Sequence, residues 1–580
     1  MVLFYIILFG QFIAGRGDLL KYSYKEYRLG DSLLTIKEEK KILIKTENAK
    51  EEFGTLVFPY DDSTENIKII YARTISPDGD TINVPENAIN RVADPIIDAY
   101  PFLKNRKELH ISFVSIKPGS TIEYCIERTV RNFKYVDGIE YFRTTIPVEY
   151  SKMVFYFSPD AGLRFQKGNV EGYDHSERLR DSSGCRIYEF EVKDLPEIFR
   201  NRWGGYPPQY LISPYVIFST FPTWDSLAHY LLAHYKRIES IKPQKLDLCR
   251  LEELSKKINS PEDESFKIQG YVPLNRERSE SFNSMTYPEE ILKLISSFEG
   301  LYPAFVLRYG FDTLKVIPAL TAIESIILYD GKSFLYPFKG EKKILSTPYE
   351  GHVAIVLSPD LNSYSIQEVE GKDVYVETLI VNIPKKLISF FKWIPSYRFL
   401  GSFSRSWSYE EEELENIKNF VSPNEFAEYG VIRDFKVVLK NQKNVEKPYY
   451  INGKVRLKSI GSQSGRYLIL NIPEMPKIDP ELFRNGFYLG FRNALKREVC
   501  FIVKIPKGYT IKYLPPSVSY SDRNLSLERN LKVDQDRVTI QQRMVYLKRY
   551  IGCSDLIKIN GTPEVKDFWS THVVILEHKH

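Results

Sequence analysis

Cysteine, histidine and methionine are all scarce in this chain: 5 Cys, 8 His and 5 Met among 580 residues. The cysteines (Cys125, Cys185, Cys249, Cys500 and Cys553) are scattered, odd in number and form no C-x-x-C pair. That pattern argues against a structural zinc site and a disulfide framework, although an isolated disulfide stays open. His229 and His234 stand near one another, and His578 and His580 close the chain. No H-E-x-x-H or comparable spacing occurs, so neither a metal nor a cofactor is expected. An excess of charge of one sign is missing too. The 80 Lys+Arg against 75 Asp+Glu leave a net charge of +5, too thin for the counterion-releasing surface of a nucleic-acid binder. Beyond the N-terminus no apolar run is long enough to span a bilayer, so no transmembrane anchor is expected once a signal peptide is removed. Few Met and Cys beside abundant Lys, Glu, Ile and Tyr resemble a thermophile's composition.

Aromatic residues are what the chain has in plenty. The 40 Tyr, 35 Phe and 5 Trp make up 14% of it, and such side chains suit pleated, half-buried surfaces. Val2 to Ala14 carry no charge, the length of a signal-peptide core and shorter than the ~20 residues of a spanning helix. A signal peptide over 1–17 and an exported, periplasmic or envelope-associated protein are the expectation. No Lys or Arg precedes the run, and a buried first strand is the alternative.

Three blocks follow. Over 18–220 the signals are strands and turns, with turns at Ser76-Pro77-Asp78-Gly79 and Lys117-Pro118-Gly119-Ser120. Ile122, Tyr124 and Ile126 alternate with Glu123 and Glu127, as in a strand with one wet face. This block is expected to be a β-sandwich, with Cys125 an incidental thiol on the polar side. Over 221–360 helix signals come first. Thr223-Trp224-Asp225-Ser226 caps a run with Leu227, Leu231 and Tyr235 at helical spacing, and Ser260-Pro261-Glu262-Asp263 and Thr286-Tyr287-Pro288-Glu289 repeat the device. An apolar segment, Leu301 to Tyr309, follows and is stopped by Gly310. Strand runs at Thr321–Leu328 and Ser333–Pro337 complete an α+β block. Over 361–580 strand patterns return, with turns expected at Asn452-Gly453, Pro506-Lys507-Gly508 and Pro515-Pro516, and a second β-sandwich is expected. The acidic run Glu410–Glu413 reads as a solvated helix face. The fold class is thus mainly β with a central α+β domain.

The order of Ile75-Ser76-Pro77-Asp78-Gly79, then Ile111 to Tyr124 around Lys117-Pro118-Gly119-Ser120, then Phe218-Ser219-Thr220 with Trp224 resembles a bacterial family of unknown function. That family is an exported β-domain that usually precedes a transglutaminase-like domain. The second block looks like that transglutaminase-like (papain-like) core, and Ile505-Pro506-Lys507-Gly508-Tyr509 with Tyr513-Leu514-Pro515 looks like the β-domain that often closes such chains.

The resemblance implies a thiol nucleophile on a helix, which in this chain would run over about 294–309, a His on a following strand and an Asp on the next. This chain departs from it: no Cys lies between Cys249 and Cys500, Glu324 stands near the His position and Tyr336 near the Asp position. With the triad degenerate, no catalytic residue is assigned. The expected function is a pseudo-transglutaminase that binds or scaffolds an envelope protein or peptide. Glu324 and Tyr336 could share a buried hydrogen bond, and His352 could approach Glu324. A glycan-binding module is the alternative, with Trp203, Tyr206, Tyr449 and Tyr450 as candidate stacking residues, and a thiol-dependent transglutaminase or peptidase using a displaced Cys249 is the second alternative.

Overall fold

The computed structural model describes residues 17–95, 105–131, 133–182, 184–198, 207–239, 302–329, 349–358, 362–370, 374–382, 399–407, 433–440, 449–457 and most of 461–579, with a few single positions besides. The fold is mainly β and multi-domain.

Alternation of apolar and polar residues builds the first large sheet. Its eight strands lie in the spatial order Asp174–Ser182, Cys185–Leu195, Val148–Phe157, Leu19–Leu29, Leu33–Leu43, Thr121–Arg131, Glu65–Ile75, Thr81–Asn83. All neighbours run antiparallel except Leu19–Leu29, which pairs in parallel with Val148–Phe157. Two three-stranded sheets pack on one face of it: Asp137–Tyr141, Arg164–Gly168 and Tyr215–Ser219 form one, Thr55–Asp61, Ile89–Ala93 and Arg106–Ser112 the other. Tyr27, Phe155 and Phe218 meet at the centre of this core with ring centroids 4.1–5.3 Å apart. Each such fully buried aromatic contributes about 1.5–3 kcal/mol. Ile122, Tyr124 and Ile126 face the core as their alternation requires, and Cys125 points to the other side, yet lies buried there beneath longer neighbours.

The Asp78-Gly79 turn forms as expected, Gly79 taking φ +95° between Glu65–Ile75 and Thr81–Asn83. The Lys117–Ser120 turn forms as well, but the strands on either side of it belong to different sheets. It moves the chain between layers rather than closing a hairpin.

In the central block, helix Trp224–Glu239 opens with Thr223 and Ser226 exchanging side-chain-to-backbone hydrogen bonds at 3.0 Å. It buries Leu227, Ala228, Leu231 and Leu232 against a five-stranded antiparallel sheet ordered Phe334–Leu335, Ile323–Tyr329, Tyr302–Leu307, Val353–Leu357, Tyr364–Glu368. The helix expected over 294–309 is corrected here. Residues 302–307 are a strand, and 294–301 lie outside the described residues. Phe305 and Leu307 pack towards the helix while Ala304 and Val306 pack into a separate cluster behind the sheet. A strand buried on both faces reads as a continuous apolar run, which periodicity cannot distinguish from a buried helix. The helices expected after Ser260 and Thr286, and the acidic run, lie outside the described residues.

The last large sheet has eight strands in the order Arg433–Lys440, Tyr449–Leu457, Phe399–Trp407, Val374–Asn382, Lys496–Lys504, Arg537–Tyr546, Leu525–Asp534, Val518–Ser521. Again a single parallel pair, Val374–Asn382 with Lys496–Lys504, joins two antiparallel halves. The turn expected at Asn452-Gly453 is absent. Both residues sit inside strand Tyr449–Leu457, paired with Ser404 and Phe403 on one side and Val438 and Val437 on the other. Pairing on both flanks holds the dipeptide extended against its local turn preference. Helices Cys553–Gly561 and Pro563–Ser570 cover the Val518–Tyr546 part of the sheet through Leu556, Ile559, Val565 and Phe568.

Candidate functional site

The central sheet carries its polar side chains at one end. Strand Tyr302–Leu307 delivers Arg308 and Tyr309 just beyond its last residue, strand Ile323–Tyr329 begins with Glu324 as its second residue, and the turn Tyr349–His352 leads into Val353–Leu357. Gly351, at φ +79°, makes that turn, with the His352 amide donating to the Tyr349 carbonyl at 2.9 Å.

His352 is buried. Its Nδ1–H donates to the Leu307 carbonyl at 2.9 Å and lies 3.7 Å from Glu324 Oε2. The rings of Tyr309 and Tyr349 stand 5.4 and 5.2 Å from the imidazole. The structure therefore brings His352 and Glu324 together. Glu324 also accepts from the Tyr210 hydroxyl at 3.4 Å, and the same oxygen of Tyr210 accepts the Tyr309 amide at 2.9 Å. Burial, then the Glu324 carboxylate and Tyr488, push the Tyr210 hydroxyl well above its ordinary pKa, so it stays protonated and can donate. Arg308 sits 5.3 Å from the Tyr210 ring and donates to the Thr321 carbonyl at 2.7 Å.

The third block closes the arrangement. Arg549, 2% exposed, gives its amide to Tyr309 Oη at 3.1 Å and its Nε–H to the Glu350 carbonyl at 2.8 Å. Close by, Arg143 of the first block donates to the Pro196, Glu197 and Ile212 carbonyls and reaches Asn485 of the third at 3.3 Å. Asp137 fixes another seam, accepting the Thr321 amide at 2.8 Å while buried. Burial raises its carboxyl to about 6, and hydrogen bonds from Thr321 and Leu320 counter part of that rise. The place where three blocks meet is thus a dry, hydrogen-bonded joint built around Glu324 and His352.

Tyr210, the partner of Glu324, and Tyr309, Arg549 and Asp137, which extend the joint, were not legible in the sequence, because they lie on other elements and sit in no local motif. Tyr336, Trp203, Tyr206 and Cys249 lie outside the described residues, so the shared bond expected between Glu324 and Tyr336 does too. Tyr449 and Tyr450 lie on strand Tyr449–Leu457 in register with Trp407 and Ser406; their side chains are outside what is described. Burial raises the thiol pKa of Cys125 and of Cys500, the opposite of what a nucleophile requires. Among the described residues no group of His, Cys, Asp and Glu could hold a metal ion.

Residues 31–199 match the family model of DUF3857, a domain of unknown function with a solved structure. The DUF3857 span takes in seven strands of the first large sheet, from Leu33–Leu43 to Cys185–Leu195, and leaves out Leu19–Leu29, which sits mid-sheet between two of them. It ends before Tyr210 and leaves out Glu324 and His352, though Asp137 and Arg143 lie within it, and the transglutaminase-like reading of the central block rests on the sequence resemblance alone. No curated protein matches the chain. A crystal structure from Parabacteroides distasonis, described as that of a "putative protease", is similar over 97% of this chain and 100% of its own, with a TM-score of 0.58 and 13% identity. That is a likeness of fold. The aminopeptidase A of Legionella pneumophila, solved with aspartic acid, overlaps 36% of this chain and 22% of its own at 11% identity and a TM-score of 0.19, too little to carry any argument.

Proposed function

We propose that this protein is a non-catalytic, exported envelope protein that holds a partner protein or peptide at the edge of its central sheet. The observation that carries this reading is the state of His352. Its Nδ1–H is committed to a backbone carbonyl, tyrosine rings flank it, and the carboxylate beside it accepts from a tyrosine of another block. A general base must reach the proton it removes, and the His352 side chain, 0% exposed, is closed off from solvent. Loss of the covalent route leaves sheet edges available for strand addition. Strand Tyr364–Glu368 is such an edge among the described strands, half to fully exposed, with Ile366 44% exposed. Export rests on the uncharged run Val2–Ala14.

A thiol hydrolase is the competing reading, favoured by the description of the similar Parabacteroides structure. Alkylation at neutral pH separates the two. A non-catalytic protein reacts at Cys249 no faster than at Cys500, and His352→Gln lowers stability without changing partner recovery from native cells. A Cys249 that reacts much faster than Cys500, and loses that advantage in His352→Gln, would establish the hydrolase instead.

A further inference from the structure

The core face of the first eight-stranded sheet is covered by two smaller sheets, and its other face is neither apolar nor furnished with the short polar residues usual on a wet surface. Tyr22, Tyr24, Tyr71, Tyr150 and Tyr156 stand on it, all half-exposed. The pairing register lines them up across strands: Tyr24 lies beside Lys152 and Glu39, and Tyr71 lies opposite Cys125. The Tyr22 ring is near-parallel to those of Tyr150 and Tyr24, at 13°, with centroids 5.8 and 6.4 Å away.

Carboxylates fix the hydroxyls. Tyr24 donates to Glu26 at 2.7 Å and Tyr150 to Glu191 at 3.0 Å. Cations lie against the rings, Arg28 at 4.3 Å from Tyr156, Arg73 at 5.0 Å from Tyr71 and Lys41 at 5.9 Å from Tyr22. Carboxylates are paired with these cations: Glu123 with Arg73 at 2.7 Å and with Lys41 at 3.3 Å, and Glu26 with Arg28 at 2.6 Å.

We propose that this tyrosine face is a glycan-binding platform, which takes a neutral or charge-balanced sugar chain laid across the strands. Charge decides the class of ligand. A polyanion needs an excess of unpaired cations, and here the cations are already paired with glutamates. A protein partner needs a charge-depleted apolar centre, and here ion pairs run between the rings. What remains is a surface of rigid amphipathic rings interleaved with anchored hydroxyl, carboxylate and guanidinium groups. A sugar matches that combination, with its C–H faces against the rings and its hydroxyls bridging the polar pairs. The site is separate from the central-sheet edge and does not depend on it.

The test is co-sedimentation of the full chain with peptidoglycan sacculi, chitin and cellulose. The wild type is expected to sediment with at least one of them and to keep that binding when salt is raised. Tyr22→Ala with Tyr150→Ala should bind at least about tenfold more weakly, the scale on which an aromatic anchor acts. Tyr22→Phe with Tyr150→Phe, which keeps the rings, should retain most of the binding. Should the alanine pair fail to fold, Tyr22→Ala alone, with Tyr150 kept, reads the same loss at a smaller scale. No sedimentation with any of the three polymers, binding lost on raising salt, or equal binding by a folded alanine pair would each overturn the proposal.

Discussion

Tyr210 joins two blocks through one oxygen, accepting the Tyr309 amide and donating to Glu324. Tyr210→Phe keeps the ring and removes both hydrogen bonds, so unfolding in urea should show a loss of about 1–3 kcal/mol with the fold retained. An unchanged urea midpoint would mean that these bonds do not hold the joint. Asp137 makes a pH-dependent contribution of known sign. Its carboxyl, raised to about 6 in the folded chain, ionises later there than in the unfolded chain, so the folded state binds more protons between about pH 4 and pH 6. The stability it supplies is complete below pH 4 and is lost as pH rises through 6. Asp137→Asn cannot ionise. The stability difference between the two proteins should therefore shift against the wild type by on the order of 2–3 kcal/mol across that window. Urea midpoints for both proteins at a series of pH values read it directly; a difference that does not vary with pH contradicts the assignment.

At the scale of single elements, two glycines explain how the small sheet beneath the first large one packs. Gly138 and Gly168 lie opposite Phe218 and Tyr215 across strand pairs, and a Cβ at either would fall 2.2–2.3 Å from ring atoms of the aromatic residue. Phe218 cannot give way, being fully buried against Tyr27 and Phe155. Gly138→Ala should cost about 1–3 kcal/mol by overpacking, whereas Gly162→Ala, with open space around its Cβ position but φ +66°, should cost less. Thermal midpoints of the two variants rank them.

Elements were legible in the sequence where local chemistry agreed with the final environment. Ile122, Tyr124 and Ile126 alternate because one side of their strand is core, and Thr223 with Ser226 caps the helix that their types announce. Legibility failed where long-range pairing overrode local preference. Asn452-Gly453 favours a turn but lies between two strands, and Tyr302–Leu307 looks like a buried helix because both of its faces are covered. The single parallel pair at the centre of each large sheet left no trace in the sequence, since it joins segments more than a hundred residues apart. The joint was half legible. His352 was expected near Glu324, but Tyr210 and Arg549, which close the joint, come from the first and third blocks.

For the whole molecule, the hydrogen bonds that cross between blocks bear on cooperativity. Tyr210 with Glu324, Arg549 with Tyr309 and Glu350, and Arg143 with Asn485 tie each block to the other two. Calorimetry should give one main transition, and Arg549→Ala should broaden or divide it, because the third block then loses the Nε–H bond to the Glu350 carbonyl while the backbone amide bond to Tyr309 stays. On the proposed reading, Glu324 and Tyr210 hold blocks together and the chain acts through its surface. The most direct test of that account is a photo-cross-linking side chain placed at Ile366 in native cells, with the exposed Leu179 on the far edge of the first sheet as control. A single recurrent partner, trapped from Ile366 and not from Leu179, and no longer co-purified with a separate Ile366→Lys variant, is the predicted result. Equal trapping at both positions, or none at Ile366, would contradict it.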